Sequence, residues 1–257
     1  MGQTIKLSAV IITFNEERDI GRCLDSLDGI ADDIVVVDSF STDRTEKICR
    51  EKEVRFLQHP FKGHIEQKNY ALQQAQYDHV ISLDGDEALS LVLRQTIAEL
   101  KHDWQYCGYS VNRLNNYCGR WIKHCGWYPD TKVRLWDRRK GGWGGANPHD
   151  KVVLTKGSTV KHIHGDILHY SYYTTSENVA QINKFSDIAA RDNMLKGRQA
   201  NVVIDIILNP LFTFFKKYFL QLGFLDGYYG FIISIHSAYS RFLKYTKLRE
   251  LNRKMRT

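Results

Sequence analysis

Between residues 7 and 103 the chain alternates short, almost uninterrupted apolar runs with stretches whose apolar residues recur at helical spacing. No other feature restricts the fold as severely. "LSAVIITF" (7–14) is rich in β-branched residues, the pattern of a strand buried on both faces. Ile20, Leu24, Leu27 and Ile30 then follow the period of an amphipathic helix. "DIVVVDSF" (33–40), "VRFLQH" (54–59) and "HVISLD" (79–84) are three further strands. The spacing predicts a helix from Asp43, with Glu46 completing a capping box, another over 64–76, and a third capped by Ser90. Such alternation produces right-handed βαβ crossovers and a parallel sheet. Ligands of these sheets bind beyond the carboxyl ends of the strands. That rim receives Asn15 and Glu16 after the first strand, Asp38 at the end of the second, and Asp84 and Asp86 at the end of the fourth.

After about residue 104 the alternation stops, and the segments 107–123, 131–139, 151–157 and 166–173 predict shorter strands in mixed or antiparallel pairing. Between them, "KGGWGGANPHD" (140–150) has four glycines in five residues, interrupted by Trp143. It fits either a long hairpin loop or a lid whose aromatic stacks on a sugar. Residues 174–197 form a helix with Thr174 and Glu177 as a capping box and Gly197 at its end. Residues 201–256 change character. Phe, Tyr, Leu and Ile crowd this segment, and Lys216, Lys217, Arg241, Lys244, Lys247 and Arg249 punctuate it. Gln221, Asp226 and His236 argue against a clean membrane span. An interfacial segment on an anionic surface fits better, and a helical pair closing a homodimer is the competing expectation.

With 257 residues there is room for one large α/β domain and an appendage. The net charge of +7 points to an anionic partner without choosing among nucleic acid, membrane and phosphorylated small molecules. Five scattered cysteines do not form a disulfide framework. Cys118, His124 and Cys125 lie close in sequence, but no Cys-x-x-Cys pair accompanies them, so reduced thiols are expected rather than zinc. "MGQTIKLSAVIITFNEE" reads as a first strand rather than a signal peptide, and Lys6 breaks the myristoylation pattern. A cytosolic location is the expectation.

"LDGDE" (83–87) drives a buried strand into three carboxylates, Asp84, Asp86 and Glu87. Crowded like charges repel and lose hydration. A solvated turn would accommodate them, and so would a divalent cation, which prefers carboxylate oxygen.

"VIITFNEERDIGRCLDSL", "IVVVDSFSTDRT", "QKNYAL" (67–72), "ISLDGDE", "HD" (149–150) and "DILHYSY" (166–172), in this order, resemble the inverting family 2 glycosyltransferases, bacterial enzymes of lipopolysaccharide-core β-1,4-glucosyltransferase type among them. The resemblance is strong over 7–90 and weaker beyond 172. It implies an α/β GT-A (Rossmann-like) fold: a mixed, mostly parallel central sheet flanked by helices, followed here by a C-terminal helical extension. In domain terms, 1–103 would bind the nucleotide sugar, 104–200 the acceptor, and 201–257 a membrane or a second subunit. It also implies a nucleotide-sugar donor, most often a UDP-sugar, a glycan or lipid-linked acceptor, and Mg²⁺ or Mn²⁺. Carried onto this sequence, Asp86 is a metal ligand, with His169 completing the metal site or contacting phosphate. Asp84 lies nearer the ribose or behind the metal. Asn15, Glu16 and Asp38 surround base and ribose, and Lys68 lies near the phosphates unless it is a solvated helix lysine. Asp150 is the general base, in a position where close relatives carry Glu. The expected location is peripheral, on the inner face of the cytoplasmic membrane.

Three other classes are weighed. A non-catalytic nucleotide-sugar-binding protein of the same fold would not need Asp150. A nucleic-acid-binding protein would be expected to show a recognisable module, and none is present. A Rossmann dehydrogenase requires Gly-x-Gly-x-x-Gly after the first strand, where "TFNEE" stands instead.

Overall fold

The structure is a computed structural model and describes residues 4–146 and 149–254. The first three residues of the expected first-strand segment, Asn147 and Pro148 of the glycine-rich segment, and residues 255–256 of the C-terminal segment lie outside the described residues.

In chain order the elements begin with β1 (Leu7–Thr13), α1 (Ile20–Leu27), β2 (Asp33–Asp38), α2 (Thr45–Glu51), β3 (Arg55–Gln58), α3 (His64–Gln73), β4 (His79–Asp84), β5 (Glu87–Leu89) and α4 (Leu91–Leu100). They continue with β6 (Gly108–Tyr117), β7 (Arg120–Ile122), β8 (Asp130–Asp137), β9 (Gly141–Ala146), β10 (His149–Leu154), β11 (Val160–Tyr172) and α5 (Thr175–Leu195). Then come α6 (Asn209–Phe215), framed by π-helical turns at Val202–Leu208 and Lys216–Leu220, and α7 (Gly227–Lys254).

The main sheet runs β3-β2-β1-β4-β8-β6-β11-β5, with β7 returning on the end of β6. β3, β2, β1 and β4 are mutually parallel, and β8 joins β4 in the antiparallel sense. β9 and β10 form a separate antiparallel hairpin. The unbroken apolar run of β1 is explained by its two faces. Leu7, Ala9 and Ile11 pack with α1 and α4 residues such as Leu24, Leu27, Leu93 and Ile97. Val10 packs on the opposite side with Val35, Val37, Val80, Trp136 and residues of α3. Each such side chain contributes about 1.5–3 kcal/mol on burial.

Two compact units partition the chain: residues 1–113 with 130–170, and residues 114–129 with 171–257. The boundaries expected from sequence, at 103 and 200, follow a donor, acceptor and extension logic, whereas these units follow compactness.

Some local expectations change. α2 begins at Thr45, and its flanking Arg44 supplies no side-chain cap. Asp43 instead accepts from the Thr45 amide at 3.0 Å and from its hydroxyl at 2.6 Å, and Glu46 pairs with Arg50 at 2.6 Å. The strands after residue 104 include long ones, ten residues in β6 and thirteen in β11. Ser90 caps α4 by accepting from the Leu93 amide at 3.2 Å, and the Thr174–Glu177 capping box of α5 is complete.

Candidate active site

The end of β4 resolves the puzzle of the crowded carboxylates by setting a basic side chain beside each of them. Glu87 is buried and accepts from the Arg134 guanidinium at 2.7 Å, with Arg113 at 3.5 Å. Its other oxygen accepts from the Asp84 amide at 3.0 Å, so it braces the turn from beneath. Asp84 faces the Lys68 ammonium, 3.1 Å from its Oδ1, and Arg134 at 3.8 Å. Burial opposes its ionisation, yet these two cations hold its carboxyl well below the usual range. Asp86 meets His169 Nε2 at 3.1 Å. Burial disfavours the charged imidazole, but the Asp86 carboxylate outweighs this and raises the His169 pKa. Gly85 allows the turn, because a Cβ there would fall 2.9 Å from Thr13 Oγ1 and 3.1 Å from Glu16 Cγ.

The neighbouring strand ends bring the other rim residues together. Thr13 of β1 is in register with Asp38 of β2. Asp38 is fully buried and accepts from the Ser41 amide at 2.7 Å and from its hydroxyl. Asn15, at φ 55°, accepts from the Thr42 amide at 2.8 Å and donates its own amide to Ser41 Oγ at 2.7 Å. The two loops are thus stitched to each other. Glu16 carries no such compensation of its charge. Burial first, then the surrounding Asp86, Asp19, Asp43 and Asp84, push its pKa up to about 8.

Lys68 joins this rim to the hairpin. Its side chain is 4% exposed, which sets aside the solvated-lysine alternative. Nζ lies 2.8 Å from Asp150 Oδ2 and 4.3 Å from the centroid of Trp143. Trp143 is 7% exposed, edge-on to Trp136 at 6.0 Å. Of the two alternatives for this segment the sugar-stacking lid is therefore set aside: Gly141–Ala146 and His149–Leu154 pair as a hairpin, and the Trp143 ring is buried.

Among the described residues, no three His, Cys, Asp or Glu side chains are grouped to hold a metal ion. Asp86 and His169 nevertheless set a carboxylate oxygen and an imidazole nitrogen 3.1 Å apart, and the oxygen is of the kind that Mg²⁺ or Mn²⁺ takes. Burial raises Glu16 first and the neighbouring carboxylates second, and a cation beside them would oppose that second cause.

The sequence profile of Glycosyl transferase family 2 matches residues 8–153. This chain belongs to that family. An uncharacterized glycosyltransferase of Rickettsia typhi is 31% identical over 262 residues, spanning 98% of this chain and 89% of its own length. The lipopolysaccharide core biosynthesis glycosyltransferase LpsC of Rhizobium meliloti is 29% identical over 255 residues, spanning 95% and 92%. Among solved structures, S. aureus TarS 1–349 gives a TM-score of 0.46 at 15% identity over 98% of this chain and 92% of that one. Glucosyl-3-phosphoglycerate synthase of Mycobacterium tuberculosis, crystallised with Mn²⁺, UDP and glucosyl-3-phosphoglycerate, gives 0.36 at 22% identity over 44% of each. The mixed sheet of this glycosyltransferase, with its parallel β3-β2-β1-β4 half and flanking helices, is a GT-A arrangement.

The geometry of the glycosyltransferase site also includes residues that sequence reasoning missed. Arg134 and Arg113 carried no motif signal, and Asn69 lay within "QKNYAL" without being singled out. Arg134 is the counter-charge of a carboxylate 47 residues away. The one available hint was an arginine inside the apolar run "VRLW", a position where a buried cation needs an acidic partner.

Proposed function

We propose that this glycosyltransferase moves a hexose from a nucleotide-diphosphate donor, a UDP-sugar, to a hydroxyl of a glycan or lipid-linked acceptor, with inversion at the anomeric carbon. The observation that supports this best is the convergence, within one compact unit, of the β4 carboxylates with Asp150 through Lys68. Asn15, Glu16 and Asp38 receive the nucleoside, and Asp84 with Lys68 orders the diphosphate side. Asp86 and His169 would hold the Mg²⁺ or Mn²⁺, which when bound neutralises the leaving diphosphate as a Lewis acid. The acceptor oxygen attacks the anomeric carbon from the face opposite the departing nucleoside diphosphate. Its proton passes to the Asp150 carboxylate, which acts as general base.

The likeness to LpsC supports a lipopolysaccharide-core or similar acceptor. Among the described residues, no helix is long and apolar enough to cross a membrane. The exposed Leu211, Phe212, Phe215, Phe219 and Leu220, with Lys216 among them, support a peripheral position on the inner face of the cytoplasmic membrane, where a lipid-linked acceptor would be met.

The test is nucleoside-diphosphate release from a panel of UDP- and GDP-sugars, with and without Mn²⁺. Asp150→Asn is expected to keep donor affinity and lower the transfer rate about 10²–10⁴-fold. A product that retains the donor's anomeric configuration would overturn the single displacement.

A further inference from the structure

The hairpin that carries Asp150 is a ladder of its own; Trp136 Nε1 of β8 donates to its Gly141 carbonyl at 3.1 Å, and two successive residues of α3, Lys68 and Asn69, bind it as well. Asn69 Oδ1 accepts from the Trp143 amide at 3.0 Å, and Asn69 Nδ2 donates to the Trp143 carbonyl at 2.9 Å. One side-chain amide therefore satisfies both backbone groups of a single β9 residue, as a neighbouring strand would. Trp143 pairs with Val152 across the hairpin, and Gly145 with Asp150. Side chains alternate along a strand, so Trp143, Val152 and Asp150 share one face. On that face Lys68 contacts both the Trp143 ring and the Asp150 carboxylate. The approach of β9 to Asn69 is close: a Cβ on Gly142 would stand 3.1 Å from Asn69 Oδ1.

We propose that Asn69 is a positioning residue for the general base: its double hydrogen bond to Trp143 seats the β9–β10 hairpin on α3 and so fixes where the Asp150 carboxylate stands. The inference rests on Asp150 being the base. Asn69 is separable from the donor side, unlike Lys68, which also pairs with Asp84. Its hydrogen bonds go to the Trp143 backbone, so its loss moves the base without removing a charge from the diphosphate site. Misplacing a reacting group by about 1 Å costs on the order of 10²-fold in rate.

The test is a cycle of four proteins, wild type, Asn69→Ala, Asp150→Asn and the double variant, each measured for kcat and for nucleoside-diphosphate affinity. Asn69→Ala is expected to lower kcat about 10- to 100-fold with nucleoside-diphosphate affinity within about twofold of wild type. In the Asp150→Asn background the same change is expected to cost no further rate, because there is no base left to misplace. Gly142→Ala presses on the same contact from the hairpin side, and it replaces Asn69→Ala in the cycle should that variant not fold. Wild-type kcat in both variants, or an equal fold loss with and without Asp150, would overturn the positioning role. Near-wild-type kcat in Asp150→Asn alone would instead overturn the base assignment.

Discussion

The two compact units of this glycosyltransferase depart from an ordinary globular protein in opposite directions. The first keeps its surprises inside, where Lys68, Glu87 and Arg134 are buried charges, each with an opposite charge beside it. The second wears them outside. Among the described residues, seven large hydrophobic side chains are exposed in the first unit and twenty-one in the second, most of them between Val202 and Phe242. Buried charges are costly and persist where partners fix them, and clustered exposed apolar groups mark surfaces meant to be covered. We propose from this contrast that the chemistry belongs to the first unit and association to the second, a reading open to direct attack.

The largest expected effect is at the metal position. Asp86→Ala should abolish sugar transfer and the Mn²⁺-dependent part of donor binding, while the circular dichroism spectrum and vesicle binding stay unchanged. Near-normal turnover of that variant in the presence of chelator would remove Asp86 from the site. Next is the hidden ion pair. Arg134→Met strips Glu87 of its direct partner and should cost about 3–5 kcal/mol in urea unfolding, whereas the paired change Glu87→Leu with Arg134→Met should recover much of that loss. Equal loss in both would mean that packing, not charge, decides there.

The second unit is tested by Leu211→Asp with Phe212→Asp. Both side chains are exposed, so stability should stay within about 0.5 kcal/mol. Flotation with anionic vesicles should weaken at least about tenfold, since each apolar side chain withheld from the interface removes roughly 1.5–3 kcal/mol. No vesicle binding by the wild type, together with a salt-insensitive dimer lost in the variant, would give this surface to a second copy of the chain. The smallest effect is a pH slope. Glu16 releases its proton near pH 8 when folded against an ordinary 4.5, so between these values the folded state binds more protons and stability falls as pH rises. Glu16→Gln should flatten that slope in thermal melts taken from pH 5 to 8.

The sequence was most legible where periodicity and burial coincide. β1, β2 and β4 are continuous apolar runs because both their faces are covered, and their ends place Asn15, Asp38 and Asp84 on one rim. Legibility ended where a residue's meaning depends on a distant partner. Glu87 could not be told from Asp84 and Asp86 as a bracing group without Arg134. β5, three residues long, is too short to show a period. Asp43 does accept from the Thr45 amide as a capping carboxylate would, but Glu46 turns to Arg50 and the box is not completed. Trp143 in a glycine-rich segment suggested a free ring, and only the fold shows the ring enclosed by Lys68 and Trp136.

His169 reaches Asp86 because of strand register. Ile167, Leu168 and His169 of β11 stand opposite Leu89, Ala88 and Glu87 of β5, and the Tyr170 amide donates to the Asp86 carbonyl at 3.0 Å. A slip of one residue would turn every side chain of that stretch to the other face and present Leu168 or Tyr170 to the carboxylate. The site is thus written in chain length as much as in residue type. A single insertion or deletion between Gly165 and His169 would exchange the imidazole for its neighbour in one step.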